Sequence, residues 1–316
     1  MDARARGGPP GFERLDLAVL SVLVVNAGST SLKRHLVADG AAEAVDEFAP
    51  ADAVGHRIVH GGGKFVQPVE IDADVETAIR AASAIAPLHN APALKAFEAA
   101  RAALPDVPHV AVFDTAFHAT IPREASTYAV PRQWREEWGI RRYGFHGLSV
   151  QWVAEQVRAP RLVVCHLGGG CSVTAVRDGR SVDTTMGFSP LEGVPMATRA
   201  GSVDPGALLH VLRNHLSLDA ADDALERRSG LAALGGLDEP LAFGVYTYRI
   251  AAAVAAMTAA VGGLDALAFT AGVGEHREDV RGAIAARLEH LLPFRVEVVP
   301  SREELVIARA VVDVLA

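Results

Sequence analysis

Short apolar runs alternate along the chain with longer stretches that carry the apolar spacing of helices. Three runs rich in β-branched or aromatic residues predict buried strands: residues 22–26, 109–113 and 267–270. Four stretches carry a helical pattern: roughly residues 73–86, 91–104, 243–261 and 277–292. The third of these stops at Gly262-Gly263, which is typical of a helix C-cap. Strands that alternate with helices predict an α/β fold.

One pattern occurs twice, namely an apolar strand, a tip of small residues and a second strand. The first copy covers residues 23–33 and the second covers residues 163–173, about 140 positions later. The second copy continues into Asp178-Gly179 between extended residues, which predicts a hairpin turn. Two copies predict two related domains that face each other across a cleft.

Residues 1–19 include a Gly/Pro-rich leader that we expect to be disordered. The apolar run at 17–25 is far shorter than a membrane span and lacks the basic flank of a signal peptide. It therefore predicts the first buried strand of a cytoplasmic protein without a membrane anchor.

The composition of the 316 residues is that of an ordinary globular chain, with 50% hydrophobic and 22% charged residues. The net charge of −8 argues against a nucleic-acid partner, because phosphate backbones need basic surfaces. Cys165 and Cys171 are the only cysteines, too few for a disulfide framework or a Cys-rich zinc site. A reducing cytoplasm fits this cysteine content.

Three segments of small residues could approach phosphate groups closely. Residues 26–33 combine small residues with hydroxyls and a lysine, but they lack the Walker A spacing. Residues 166–172 contain three successive glycines that lead into a strand, which argues against a dinucleotide-binding loop. Residues 271–275 precede a helix, whose N-terminal amides attract anions. Each segment, taken alone, is also consistent with a tight turn that binds nothing.

Several charged residues stand in apolar or glycine-rich surroundings: Arg57, Asp114, His146 and Arg199. Arginine suits carboxylate and phosphoryl oxygens because its planar fork donates paired, charge-assisted hydrogen bonds. Any one of these residues could instead be a structural ion pair or a satisfied core histidine, but their place beside glycine-rich segments favours a site. The sequence has no HExxH motif, nucleophile elbow or CxxC pair, so zinc hydrolysis and serine or thiol catalysis lack support.

Many short motifs, in one order, together resemble the acetate kinase family, which shares a fold with actin, hexokinase and the heat-shock ATPases. The matching motifs are residues 26–33, 56–62, 86–90, 112–118, 139–147, 165–168, 181–193, 269–275 and 303–308. The resemblance implies two actin-like (ribonuclease H-like) α/β domains with a central cleft. The first domain would cover residues 20–115 together with residues 306–316, and the second would cover residues 116–305. It also implies that the nucleotide site and a dimer interface belong to the second domain.

The resemblance further implies a role for each matched residue. Three would act in catalysis: Asp114, His146 and Arg199. Two would hold the metal: Asn26 and Glu304. The acetate site would consist of one arginine and a small apolar pocket: Arg57, Val59, Leu88, Phe145 and Pro190. The others would contact the nucleotide or its phosphates: Ser29, Ser31, Lys33, His166, Gly168, Gly169, Gly170, Gly272, Val273, Gly274, Glu275 and His276.

By the same resemblance the chain would be a magnesium-dependent kinase that moves a phosphoryl group between ATP and acetate, with acetyl phosphate and ADP as products. Mn²⁺ could replace Mg²⁺, and two copies would form a homodimer. Acetate is already ionised at neutral pH. We therefore expect Asp114 to orient the metal and water rather than to remove a proton.

The chain also departs from the family. It is short between Leu36 and His56, where strands and a helix are expected, and after Gly236, where the family has an Asp-x-Arg segment against the adenine. Four positions near the site differ from the family as well: Leu148, Val150, Gly169 and His276. These departures leave open pyrophosphate or another phosphoryl donor, propionate as the acceptor, and a binding protein without turnover.

Overall fold

The computed structural model describes residues 20–27, 32–82 and 87–316, with the backbone alone for residues 87–89. The predicted disordered leader and the tip of the first hairpin, with Ser29 and Ser31, lie outside the described residues. The side chain of Leu88 lies outside them too. The expectations for these residues therefore stay predictions.

Six strands form the first sheet: β1 (Val22–Ala27), β2 (Leu32–Ala38), β3 (Ala41–Ala44), β4 (Ala53–Ile58), β5 (Val69–Glu70) and β6 (His109–Phe113). Their order across the sheet is β3-β2-β1-β4-β6-β5. The first three strands pair antiparallel, whereas β4 runs parallel to β1 and β6 runs parallel to β4. The carboxyl ends of β1, β4 and β6 therefore lie side by side at one end of this sheet.

Five strands form the second sheet: β7 (Arg161–Leu167), β8 (Cys171–Arg177), β9 (Arg180–Thr184), β10 (Ala266–Thr270) and β11 (Arg295–Val298). Their order is β11-β10-β7-β8-β9, with β7–β9 antiparallel and β10 and β11 parallel to β7. The second sheet thus repeats the core topology of the first, and the repeat predicted from the sequence is confirmed. Asp178 and Gly179 join β8 to β9 with φ of 49° and 77°, as the predicted hairpin turn requires.

Eleven α-helices occur in the described residues: α1 (Ala73–Ala82), α2 (Pro87–Ala103), α3 (Arg123–Ser126), α4 (Arg132–Glu136), α5 (Gly147–Val157), α6 (Pro205–Asn214), α7 (Leu218–Arg227), α8 (Pro240–Val261), α9 (Ala271–His276), α10 (Glu278–Ala286) and α11 (Glu303–Leu315). Helix α2 packs on one face of the first sheet and α11 on the other. Helices α8 and α10 cover one face of the second sheet, and α5 covers the other. Helices α5 and α11 also contact each other, so they lie between the two sheets.

Helix α11, Glu303–Leu315, returns the chain to the first sheet. Its buried face includes Val306, Ile307 and Val311, which pack against the valines of β1 and β6. Full burial of such a side chain stabilises the fold by about 1.5–3 kcal/mol.

Helix α8 is long and apolar enough, by length and composition alone, to cross a membrane. One face of it, with Tyr246, Ile250 and Val254, is buried against the second sheet. The core helix of a globular domain has the same composition, and the packing of α8 agrees with that role. The helix ends at Gly262 with φ of 79°, so the predicted C-cap is confirmed.

Some expected boundaries differ in the structure. The short region between Leu36 and His56 contains strand β3 but no helix. Residues 271–276 form the short helix α9 themselves instead of only preceding a helix. The helical pattern at 277–292 is interrupted after α10, because residues 289–291 form a separate 3-10 turn.

Candidate active site

The carboxyl ends of β1, β4 and β6 bring three polar side chains together, because parallel strands end at the same edge of a sheet. Arg57, from β4, donates from Nε to Oδ2 of Asp114 at 3.1 Å and forms a second, shorter contact through Nη2. Its Nη1 donates to Oδ1 of Asn26 at 3.2 Å. The guanidinium is thus oriented by the first sheet, as carboxylate binding would require.

The first residue of α11 adds a carboxylate to this cluster. Oε2 of Glu303 accepts from Nδ2 of Asn26 at 3.0 Å and lies 4.0 Å from Nε of Arg57. The family resemblance assigned the metal site to Glu304, and here the structure requires a correction. Glu304 instead faces Arg302, with 3.6 Å between Oε1 and Nη1. Because successive residues of a helix point about 100° apart, only one of the two glutamates can face Asn26.

Asp114 is completely buried, and its Oδ1 has no hydrogen-bond partner among the described residues. Burial raises the pKa of the Asp114 carboxyl above its ordinary value, while the charge of Arg57 acts in the opposite direction. A buried carboxylate oxygen without a partner is unusual and costly. This oxygen is therefore available to a cation or an ordered water.

His146 stands at the start of α5 in a left-handed conformation, with φ of 60°. The next residue, Gly147, donates its N–H to the carbonyl of Asp114 at 3.0 Å. A Cβ at Gly147 would lie 2.0 Å from that oxygen, so only glycine fits there. The chain thus places His146 directly beside the end of β6.

The imidazole of His146 stacks on that of His166, with ring centroids 3.9 Å apart. Nδ1 of His146 is 3.0 Å from Oγ of Ser172, and Nδ1 of His166 is 2.8 Å from Oγ of Ser149. Burial, the neighbouring His166 and the charges of Arg57 and Arg199 lower the pKa of His146 well below its usual value. Burial also lowers the pKa of His166 to about 4. Both rings are therefore neutral near pH 7.

The glycine segment 168–170 meets His146 and Arg199. A Cβ at Gly170 would lie 2.9 Å from Nη2 of Arg199 and 3.0 Å from Nε2 of His146, so these two donors converge on one point. A Cβ at Gly169 would meet no atom within 4 Å. Arg199 is oriented from behind by its Nη1, which donates to the carbonyl of Pro190 at 3.0 Å. Two donors and an open glycine edge suit a phosphoryl group.

The predicted apolar pocket is brought together in part. Val59 and Phe145 are buried in one hydrophobic cluster, the one that covers a face of the second sheet. Pro190 is buried and contacts Arg199 through its carbonyl. The segment that carries Val59 is held by Asn90, whose side-chain amide bonds both the N–H and the C=O of His60, at 3.1 and 3.0 Å.

The predicted nucleotide contacts on α9 are more open. A Cβ at Gly272 would meet no atom within 4 Å, and His276 is exposed. Gly274 is buried, and a Cβ there would lie 3.6 Å from the carbonyl oxygen of Cys165. Val273 packs against the core of the second sheet. Oε1 of Glu275 accepts from the N–H of Ser301 at 3.0 Å.

Lys33 is exposed on β2, opposite Asn26 in the strand register. Near the shortened segment that follows Gly236, Oδ1 of Asp238 accepts from Nη1 of Arg277 at 2.9 Å. This exposed ion pair joins the start of α8 to the end of α9. Within residues 20–27, 32–82 and 87–316, the side chain of Lys33 forms no hydrogen bond or ion pair with another candidate residue.

Oxygen donors at this end of the first sheet fit a magnesium ion. Asn26, Glu303 and the partnerless Oδ1 of Asp114 offer amide and carboxylate oxygens, the ligands that Mg²⁺ prefers. No three His, Cys, Asp or Glu residues in the described part of the chain form a dedicated metal cage. Magnesium usually needs only one or two carboxylates, together with water and substrate phosphates.

Sequence reasoning missed several residues that orient the site: Ser149, Ser172, Asn90, His118 and Glu303. His118 is an example, because its Nε2 lies 2.9 Å from the carbonyl of Phe145 and its Nδ1 lies 2.8 Å from Oγ of Ser181. It is the last residue of the motif at 112–118 that contains Asp114, but nothing in the sequence identifies a backbone carbonyl as its partner.

Known proteins resemble this chain over most of its length. The model of the acetokinase family matches residues 41–302. An acetate kinase of Clavibacter michiganensis is 43% identical over 343 aligned residues, which cover 90% of this chain and 87% of that protein. An acetate kinase of Nostoc punctiforme is 45% identical over 274 residues, with 79% and 67% covered.

Solved structures agree with the sequence comparisons. A propionate kinase from Francisella tularensis superimposes with a TM-score of 0.84 at 30% identity, covering 92% of this chain and 98% of that one. An acetate kinase from Porphyromonas gingivalis gives a TM-score of 0.81 at 29% identity, with 94% and 100% covered. The predicted fold class is thereby confirmed. Because the family match extends over most of the sequence, the chain belongs to the acetokinase family.

Proposed function

We propose that the protein is an acetate kinase, which transfers a phosphoryl group reversibly between ATP and acetate to give acetyl phosphate and ADP. One observation carries the proposal. A guanidinium oriented for a carboxylate, that of Arg57, lies beside two phosphoryl-binding donors, those of His146 and Arg199. The two substrates of such a reaction are both anions, so the arrangement supplies positive charge where they must meet.

The acid would enter with its carboxylate on Arg57 and its methyl group against Val59, Phe145 and Pro190. A pocket of methyl size distinguishes acetate from propionate weakly, since one methylene is worth only about 1–3 kcal/mol. Propionate is therefore a second acceptor that an assay must include.

In the transfer, one carboxylate oxygen of acetate forms a bond to the γ-phosphorus as the bond between that phosphorus and the β-phosphate oxygen breaks. ADP leaves with the electron pair of the broken bond. Arg199 and His146 would donate to the equatorial oxygens, where negative charge is spread in the transition state. If Ser172 donates to Nδ1 of His146, the proton of the neutral ring is on Nε2, the atom that faces Gly170.

The metal site would consist of Asn26, Glu303 and Asp114, with Mg²⁺ or Mn²⁺ as the ion. A bound divalent cation would neutralise the phosphate oxygens and orient them for displacement. Asp114 is bonded to Arg57 and has its second oxygen free. We propose that it orients metal and water and removes no proton. An Asp114→Asn variant whose pH–rate profile shifts while its magnesium requirement is unchanged would contradict this role.

The nucleotide would lie along Gly168, Gly169 and Gly170 and reach the open surface at Gly272. Ser29, Ser31 and Lys33 would contribute from the first hairpin, and Val273, Gly274, Glu275 and His276 would border the nucleoside. Since the Asp-x-Arg segment of the family is absent, the base has fewer partners here than the phosphates have. ATP is the proposed donor, and pyrophosphate is the donor to test against it.

We further propose a homodimer in the cytoplasm, formed through the second domain. That domain exposes large apolar side chains around α6 and α7: Val203, Leu209, Leu216 and Leu218. Contiguous exposed apolar surface marks interaction sites more often than chance. Light scattering of the purified protein measures the state directly, and a monomeric mass at micromolar concentration would refute the dimer.

The decisive experiment traps acyl phosphate with hydroxylamine. Purified protein receives magnesium, either acetate or propionate, and either ATP or pyrophosphate. We expect acetyl hydroxamate that requires ATP and forms about a hundredfold or more slowly in Arg57→Ala and Arg199→Ala, because loss of one stabilising donor costs roughly 10²–10³ in kcat. Product formed only with pyrophosphate would identify a different donor. No product from folded protein with any pair of substrates would overturn the proposal and favour a binding protein.

A further inference from the structure

Three side chains outside the candidate site form a network that we call the clamp: Tyr128, Arg142 and Glu192. The hydroxyl of Tyr128 donates to Oε2 of Glu192, and Nη2 of Arg142 donates to Oε1 of the same carboxylate at 3.1 Å. Both oxygens of Glu192 are therefore bonded. The side chains of Arg142 and Glu192 are only 17% and 34% exposed. Charge-assisted bonds of this kind are strong and specific in direction.

The clamp fixes one loop by its backbone. This loop, residues 184–193, follows β9. Nη1 of Arg142 donates to three successive carbonyls at its start, those of Thr184, Thr185 and Met186, at 2.8, 3.1 and 3.2 Å. The hydroxyl of Tyr128 accepts from the N–H of Phe188 at 3.1 Å. Backbone groups that would otherwise be unpaired in this loop are thus satisfied by the clamp.

The same loop is joined to the segment 142–146. The N–H groups of Tyr143 and Gly144 both donate to the carbonyl of Gly187, at 3.0 and 3.3 Å. Arg142 belongs to this segment, which ends at His146. The loop carries Pro190, whose carbonyl accepts from Arg199 at 3.0 Å. The clamp therefore connects the segment that carries His146 to the loop whose Pro190 carbonyl orients Arg199.

We propose that Glu192 is a positioning residue, held by Tyr128 and Arg142, that sets Arg199 relative to His146 for phosphoryl transfer. The inference rests on the proposed function for its kinetic part. Glu192 touches neither substrate in this arrangement and acts through Pro190 and Arg199. Misplacing a reacting or stabilising group by about 1 Å can cost roughly a hundredfold in rate, so a distant contact of this kind matters.

Glu192→Gln tests the proposal, because glutamine keeps the shape of glutamate and removes the charge that bonds Arg142. We expect kcat to fall about tenfold or more, while KM for acetate changes less than about twofold, since the carboxylate site on Arg57 is untouched. Glu137→Gln is the matched control: Glu137 is exposed and, among the residues that the structure describes, accepts from Gln133 alone. Tyr128→Phe removes one bond of the clamp if Glu192→Gln fails to fold.

A double-mutant cycle separates positioning from general destabilisation. If Glu192 acts through Arg199, Glu192→Gln will lower kcat in the wild type and change it little in an Arg199→Ala background. An equal loss of kcat in both backgrounds, or an unchanged kcat in the wild type, would overturn the proposal.

A measurement without turnover completes the test. Amide hydrogen exchange at residues 184–193 should become faster in Glu192→Gln and stay unchanged in Glu137→Gln. Unchanged exchange in Glu192→Gln would overturn the clamp even if the wild type proved inactive. A wild type that forms no acyl hydroxamate would refute the proposed function instead, so the two failures are distinguishable.

Discussion

Two adjacent glutamates, Glu303 and Glu304, differ in what they can do although the sequence presents them as a pair. The first faces Asn26 and Arg57, and the second faces Arg302. The phase of α11 decides between them, and that phase is set by the packing of Val306 and Ile307 on the first sheet. The sequence motif identifies the pair of glutamates, but only the packed helix shows which of them faces Asn26.

The variants Glu303→Gln and Glu304→Gln test this assignment. We expect Glu303→Gln to raise the magnesium concentration at half-maximal activity by about tenfold or more, as loss of an orienting group at a metal site does. Glu304→Gln should raise it far less, because its carboxylate is bonded elsewhere. Magnesium titrations of both variants measure the difference, and the reverse order would refute the correction.

Several buried histidines make the stability of the protein depend on pH. Burial lowers the pKa of His60, His118 and His166 to about 4, from 6.5. Each is neutral in the folded chain, and the unfolded chain takes up the proton first as the pH falls. The stabilisation from the neutral rings is therefore complete above pH 6.5 and is lost as the pH falls toward 4.

Denaturant unfolding between pH 7 and pH 4 measures this loss. We expect the free energy of unfolding to decrease steadily as the pH falls from 6.5 to 4. The free energy of unfolding of His118→Gln should depend on pH with a smaller slope. His118 suits the test because its ring is 1% exposed and burial lowers its pKa to about 4. A slope that His118→Gln leaves unchanged would show that this histidine does not contribute.

Individual elements were predicted well where a local pattern decides them. The apolar runs of β1, β6 and β10 predicted buried strands, and Asp178-Gly179 predicted the hairpin turn, because period and turn chemistry are local properties. Strand β11 was not predicted, since three of its four residues are exposed and it lacks an apolar run. Its place is set by pairing with β10, which is a tertiary effect.

In the candidate site, too, the sequence identified some residues and not others. Arg57, Asp114, His146 and Arg199 stood out because charge in a glycine-rich or apolar setting is visible in a sequence. The groups that orient them could not be identified in this way. Ser172 contributes a hydroxyl and Pro190 a backbone carbonyl, and such groups are too common in any sequence to stand out.

A substitution at Gly147 tests the close packing at the start of α5. Gly147→Ala would place a methyl group 2.0 Å from the carbonyl of Asp114. We expect the variant to lose about 1–3 kcal/mol of stability, as overpacked sites do, together with most activity. Gly282→Ala in α10 is the control: its Cβ meets no atom within 4 Å, and it should gain about 0.5–1 kcal/mol. Urea unfolding compares the two, and an undiminished stability of Gly147→Ala would contradict the packing described.

At the scale of the molecule, the candidate site is divided between two sheets of the same topology. Asn26, Arg57 and Asp114 come from the first sheet, while His166 and the 168–170 segment come from the second. Such sites are commonly completed by closure of the cleft on the nucleotide, which also excludes water.

We expect the radius of gyration from small-angle X-ray scattering to decrease when nucleotide and acetate bind together. Arg57→Ala should weaken the change at a given acetate concentration, because acetate loses its oriented guanidinium. A radius that stays constant at saturating substrate would refute closure.

The return of α11 to the first sheet has a consequence for synthesis of the chain. Until residues 303–315 have left the ribosome, the face of the first sheet formed by Val22, Val24 and Val112 lacks the cover that α11 supplies. Part of the apolar face of the first sheet therefore stays exposed while the second half of the chain is synthesised. The same late helix delivers Glu303 to Asn26. Completion of the fold and completion of the cluster at the sheet edge are thus one event, and a prematurely terminated chain lacks both.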